Sequence, residues 1–131
     1  MRPRPLSPHV SVYRFQYTMI GSFTHRMTGI GLAFGLIVLA WWLAAAAGGA
    51  AAYGDASAIL GSVPGKVLLA LWLLAFCYHL FNGIRHLAWD RIFGFEKREA
   101  RRSFRVVILA ALVLFVALAW FLFFRGTGVA P

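Results

Sequence analysis

Hydrophobic and polar positions along this chain sort into three long apolar stretches separated by short polar ones. Met27–Gly54, Val67–Ile84 and Val106–Phe124 contain no Asp, Glu, Lys or Arg, and each is close to or above the roughly 20 residues an α-helix needs to cross a bilayer. The pattern predicts an all-α membrane protein. Its spanning helices are expected over about 18–47, 64–90 and 103–125, after an N-terminal arm at 1–17, so that 18–131 forms one three-helix transmembrane domain. Pro3, Pro5 and Pro8 disfavour helix and predict an extended arm. Between the first two spans, "GGAAAYGDASAILGSVPG" reads as a loop with room for a short helix around Ala56–Leu60, and Pro64 suits the first turn of the next span. "RIFGFEKREARRS" reads as the loop between the second and third spans.

Composition agrees with this pattern: 61% of residues are hydrophobic and the mean hydropathy is +0.75, well outside the range of ordinary soluble domains. The net charge of +9 does not indicate nucleic acid, because the basic residues flank the spans instead of covering a soluble face. Arg2, Arg4, Arg14 and Arg26 precede or open the first span, and Arg85, Arg91, Lys97, Arg98, Arg101, Arg102 and Arg105 lie between the second and third. Only Lys66 and Arg125 sit at the opposite ends. The positive-inside rule then puts the N-terminus and the second loop in the cytoplasm, with the first loop and the C-terminus outside. The arm is too polar for a signal sequence and reads as retained, which favours a bacterial inner (plasma) membrane over a mitochondrial inner membrane. The lone Cys77 lies inside the second span and reads as a small buried hydrophobe, with no disulfide framework.

Two polar clusters interrupt the apolar pattern, and ionisable groups inside a membrane mark function by default. "GSFTHRMTG" brings Ser22, Thr24, His25, Arg26 and Thr28 into the start of the first span, and "YHLFNGIRHLAWD" brings His79, Asn82, Arg85, His86 and Asp90 into the end of the second. Because the first helix runs outward and the second returns, both clusters belong to the cytoplasmic side. Ser22, His25 or Arg26, and Gly29 share one helical face, as do His79, Gly83 and His86. Gly83 leaves room on the His79 face for a flat group or a second helix.

From spacing alone, His79 fits both a residue hydrogen-bonded to a neighbouring helix and an axial ligand to haem iron. A zinc site lacks the closing carboxylate or thiolate ligands. His25 and Arg26 fit interfacial anchoring and ligand binding alike, and His9 reads as a surface residue. Arg85 and Asp90 suit a mutual salt bridge, a helix cap or proton handling. Trp41, Trp42, Trp72, Trp89 and Trp120 read as interfacial belt or lipid-facing residues. The charges from Glu96 to Arg105 read as a solvated or headgroup-facing surface.

The stretches "RPLSPHVSVYR" (Arg4 to Arg14), "SFTHRMTG" (Ser22 to Gly29) and "HLFNGIRHLAWD" (His79 to Asp90) resemble the cytochrome b556 membrane-anchor family of succinate dehydrogenase, in respiratory complex II. The resemblance covers essentially the whole chain. It implies half of a heterodimeric helical bundle that binds one haem b jointly with a second membrane anchor, beneath an iron–sulfur subunit and a flavoprotein subunit on the cytoplasmic side. It further implies that His79 is the haem iron axial ligand. Ser22 and Arg26 would line the ubiquinone site, and His25, Arg26 and His86 would approach the haem propionates or quinone pocket. Asp90 closes the second motif and is the candidate for the proton path. No residue of this subunit is expected to be catalytic on its own. The one departure is Ile92, where the family often has a small residue, a difference confined to loop packing.

A haem-free structural anchor is the alternative from a different class. A transporter subunit would need polar groups reaching both faces, and the third span has almost none. Within the redox reading, His86 is about 10 Å along the helix from His79. If the first helix enters near Ile20 and the second leaves near Asp90, His25 and His79 differ in depth by about six residues, roughly 9 Å. Neither could complete the coordination of one iron, so the second ligand is expected from a histidine of a partner span.

Overall fold

In the computed structural model, which describes residues 14–94 and 96–122, the chain forms four α-helices and, among the described residues, no strand. They are α1 (Tyr17–Ala47), α2 (Ala50–Gly61), α3 (Val63–Asp90) and α4 (Lys97–Trp120). Three of them, α1, α3 and α4, are long and apolar enough to cross a membrane, as the hydropathy pattern predicts. The proline-bearing arm up to Tyr13, with His9, lies outside the described residues, as do residues 123–125 of the third expected span.

The elements end where backbone chemistry requires it. α1 has 31 residues, about 46 Å at 1.5 Å per residue, so it overruns a hydrocarbon core of roughly 30 Å. It stops at Gly48 and Gly49, where Gly49 takes φ 104° and ψ 177°, a conformation open almost only to glycine. α2 is longer than the short helix expected at Ala56–Leu60, because the run Ala50–Ala52 has the highest helix propensity and extends it toward Gly49. Ser62 alone joins α2 to α3. Its extended backbone breaks the helix, and its hydroxyl accepts from the Gly65 N–H at 3.3 Å, with Pro64 in the first turn as predicted.

α4 starts at Lys97, six residues before the expected boundary at Ser103. Hydropathy marks where the membrane begins, whereas "KREARR" consists of strong helix formers that extend the helix beyond it. These basic turns are exposed apart from Ala100, and Arg101 stacks over the ring of Tyr17 at 4.8 Å. Ala100, Phe104, Val107 and Ala111 form the buried stripe of α4, spaced along one helical face.

α3 is the central helix, packed against α1 on one side and α4 on the other. Within a bilayer lipid is as apolar as leucine, so helices associate through small residues and polar contacts. Gly35 shows this: a Cβ there would collide with the indole of Trp72. Cys77 is fully buried, as the sequence suggests. Phe34, Ile84, Leu87, Leu109, Val113 and Val116 remain on the outer surface of the three spans.

The turn from α3 to α4 contains the only described non-glycine residue with positive φ, Ile92 at 63°. The Ile92 N–H donates to the Trp89 carbonyl at 2.8 Å and the Phe93 N–H to the Ala88 carbonyl at 3.2 Å. This is the bonding of a Schellman motif, with isoleucine where glycine is the usual residue. The departure at Ile92 is therefore a point of backbone strain, beyond the packing difference expected.

Candidate functional site

The two polar clusters meet, on a seam built by small and polar residues of α1. Gly21, Thr24, His25 and Thr28 face α3, where Tyr78, His79 and Asn82 receive them. Thr24 Oγ1 and Tyr78 Oη lie 2.5 Å apart, and Tyr78 also donates to the Gly21 carbonyl at 3.3 Å. Asn82, fully buried, points its amide nitrogen at the same carbonyl at 3.5 Å. Gly29 completes the seam: a Cβ there would lie 3.0 Å from Cε1 of His79. The close approach expected at Gly83 falls at Gly29 instead, since a Cβ on Gly83 would meet only His25 Nε2, at an ordinary 3.9 Å.

His79 is held in one tautomer. Its Nδ1 lies 3.1 Å from the His25 carbonyl oxygen and 3.1 Å from Thr28 Oγ1. A carbonyl oxygen only accepts, so Nδ1 carries the hydrogen, and in the neutral ring Nε2 keeps its lone pair. The Thr28 hydroxyl donates to the Thr24 and His25 carbonyls, both at 2.9 Å, which leaves its own oxygen free to accept from Nδ1. A carbonyl on one ring nitrogen and a bare lone pair on the other is the arrangement metal-ligating histidines use.

The other two described histidines gather around it. His25 stacks on His79 with ring centroids 3.9 Å apart and planes 15° from parallel, and His86 lies 5.0 Å from His25. The depth offset of about 9 Å expected between His25 and His79 is absent. α1 begins at Tyr17, not Ile20, and α3 runs past the first turn of α1 to meet α4, so the two helix ends are not level. Stacked rings present their faces to each other, whereas two axial imidazoles point nitrogens at one iron from opposite sides. Orientation, not depth, is what sets the ring of His25 apart from that of His79. Its Nε2 is buried and has no hydrogen-bond partner among the described residues.

Ser22 and Arg26 lie one turn apart on the flank of the seam, Ser22 half-buried and Arg26 exposed. Asp90 lies one turn beyond His86 on α3 but far from His79. It ends α3, exposed, eleven residues beyond His79, about 16 Å along the axis.

Arg85 and Asp90 form no salt bridge; five residues apart, they leave the helix on different sides. Arg85 instead lies buried between the three spans. Its Nε donates to Ser103 Oγ at 3.0 Å, Nη1 to Asn82 Oδ1 at 3.3 Å and Nη2 to the Ala100 carbonyl at 3.1 Å. Trp89, expected as an interfacial belt or lipid-facing residue, covers this guanidinium at 4.0 Å and donates its Nε1–H to the Gly94 carbonyl at 3.2 Å. Tyr78, Gly21 and Ser103 are site-forming residues that the sequence reading did not single out. Tyr78, Asn82 and Arg85 follow the i, i+4, i+7 spacing of one helical face, and that period was the available signal.

The donor set fits a haem: one fixed imidazole lone pair, two further histidines and an arginine at one membrane face, and a glycine opposite the ligating ring. Comparison with known proteins points the same way. The profile of the succinate dehydrogenase/fumarate reductase transmembrane subunit family matches residues 1–118. The chain is 38% identical over 113 residues to the succinate dehydrogenase cytochrome b556 subunit of Paracoccus denitrificans, covering 86% of this chain and 87% of that protein. It is 36% identical over 111 residues to the subunit of the same name from Rickettsia typhi, covering 85% and 86%. The human mitochondrial succinate dehydrogenase cytochrome b560 subunit is 33% identical over 118 residues, covering 88% of this chain and 70% of that protein.

Proposed function

Because this chain belongs to the succinate dehydrogenase/fumarate reductase transmembrane subunit family, we propose that it binds haem b jointly with a second membrane anchor and helps form the site where electrons from succinate reach ubiquinone. The observation that carries this reading is the fixed tautomer of His79, whose Nδ1–H is held by the His25 carbonyl and Thr28 while Nε2 remains available as an axial ligand. The other iron ligand would come from a histidine of the partner anchor, since the ring of His25 stacks on His79 instead of facing it across an iron.

When bound, haem b supplies a one-electron carrier. This chain orients it and prepares the acceptor site. His79 would hold the iron, His25 and His86 would offer N–H donors to its propionates, and Arg26 would offer them positive charge. Ser22 and Arg26 form the wall of the quinone site. The Ser22 hydroxyl donates to a quinone carbonyl, and the Arg26 guanidinium stabilises negative charge arriving there. Reduction also takes up two protons, and the membrane edge keeps this wall near water, with Asp90 at the aqueous end of α3. Clustering of arginine and lysine on this side supports an N-terminus in the cytoplasm or its matrix equivalent, and family membership supports a bacterial inner membrane with the iron–sulfur and flavoprotein subunits docked on that face.

His79→Leu in the assembled complex tests the reading. Leucine costs nothing in lipid, so the chain should still insert while the b-type band disappears from the reduced-minus-oxidised spectrum. An unchanged band would mean that His79 only packs α3 against α1 and that the subunit is a structural anchor.

A further inference from the structure

The least economical feature of the fold is Arg85, a guanidinium only 6% exposed inside a spanning helix. Every hydrogen-bond acceptor it finds is neutral: Ser103 Oγ, Asn82 Oδ1 and the Ala100 carbonyl, with the rings of Trp89 and Phe104 at 4.0 and 5.7 Å. No acidic side chain pairs with it among the described residues. Neutral acceptors satisfy its N–H groups but do not cancel its charge, and arginine does not shed a proton at these positions. A purely structural clasp between α3 and α4 could be built from neutral groups without the desolvation cost of a buried cation.

The direction in which the charge is delivered is informative. Gly21 lies opposite Arg85, and a Cβ there would sit 3.4 Å from Nη1 and 3.1 Å from the Phe104 ring. The missing side chain lets the guanidinium reach the α1 backbone at the residue before Ser22. Asn82 strengthens the link, since it accepts from Arg85 while its amide nitrogen points at the Gly21 carbonyl. Arg85 is also six residues from His79 on α3, a rise of about 9 Å through protein and lipid where salt does not screen.

We propose that Arg85 is an electrostatic positioning residue: Gly21 admits its buried charge, which no described acidic side chain compensates, behind the Ser22 wall, where it makes the electron-accepting side of the subunit more oxidising. The inference rests on the haem and quinone reading above. A fixed positive charge stabilises whichever group has just gained an electron, so it raises the midpoint potential of a haem held by His79 and favours reduced quinone at Ser22.

Potentiometric titration of the haem in the whole complex separates charge from clasp. Arg85→Gln should lower the midpoint potential, whereas Arg85→Lys, which keeps the charge but loses the fork of hydrogen bonds, should stay near wild type. Ser103→Asp carries the test where Arg85→Gln does not assemble: it puts a carboxylate on the Arg85 Nε partner, neutralises the charge in place and should also lower the potential. Ser103→Asn should not. Equal potentials in the aspartate and asparagine variants, or an equal fall in the lysine and glutamine variants, would overturn the proposal. A wild-type complex without haem would overturn the His79 reading and this inference with it, whereas a normal haem indifferent to these charges overturns the inference alone.

Discussion

The two halves of the α1–α3 seam are held together by different physics. Near the membrane face where α4 begins, α1 and α3 are joined by directional bonds: Thr24 to Tyr78, the His25 carbonyl and Thr28 to His79, the Gly21 carbonyl to Asn82. Toward the opposite face they are joined by shape. Trp72 sets the Nε1 edge of its indole in the notch left by Gly35, with Nε1 buried and unbonded among the described residues. Beyond it a mostly apolar cavity of about 1070 Å³ opens between α1, α2 and the start of α3. Shape complementarity is enough to hold helices together in lipid. It does not fix the tautomer of an imidazole or the path of a charge, and only the bonded half does so.

The largest way to sharpen this contrast is to remove a polar group the seam itself does not need. If Arg26 lines the quinone site as proposed, Arg26→Leu deletes a charge-assisted hydrogen bond worth about 1.5–3 kcal/mol, or roughly 10- to 150-fold in rate. Succinate:quinone reductase activity should fall by that amount, while electron transfer from succinate to a soluble acceptor stays near wild type. Ser22→Ala, which removes a neutral hydroxyl, should show the same pattern with a smaller loss. A parallel fall in both activities would place these residues in assembly and blur the distinction between a site-bearing half and a packing half.

Gly35→Ala should do the reverse. The new methyl meets the Trp72 indole, and overpacking of this kind costs about 1–3 kcal/mol. Heat inactivation of the complex should come earlier while the b-type spectrum stays unchanged, and Trp72→Leu should relieve the loss in the double variant. A haem spectrum altered by Gly35→Ala would show that the halves are coupled and that the comparison fails.

Much of this could be read from the sequence, and the misses share a cause. The three spans, the buried Cys77 and the convergence of two histidine-bearing clusters follow from hydropathy and antiparallel topology. Helix boundaries followed less well, since "KREARR" is polar enough to leave the membrane and still helical enough to continue α4. The fate of Arg85 was hidden because its partners, Ser103 and Ala100, lie on an element whose start was misjudged. Without the six helical residues before Ser103, there is no wall for the guanidinium to lean on. His25 was misjudged for a related reason: side-chain depth was counted from helix ends that are not level.

Ile92 offers the smallest effect and a test of how the bonded half is closed. The polar seam ends where α3 turns into α4, and that turn bends through an isoleucine at φ 63°. A β-branched side chain in this region costs roughly 1–2 kcal/mol. Ile92 is 84% exposed, so little packing repays the cost. Ile92→Gly removes the clash but gives back about 0.5–1 kcal/mol through the freer unfolded chain. The net gain should be about 0.5–1 kcal/mol, read as later heat inactivation with activity and haem spectrum unchanged. Ile92→Asn should gain less, with the same sign, because asparagine tolerates the left-handed region without glycine's full freedom. The neighbouring Phe93→Gly should only destabilise, having no positive φ to relieve. If Ile92→Gly were the less stable protein, the turn would be held by the isoleucine side chain and not merely strained by it. The bonded half would then extend through the α3–α4 turn into the loop.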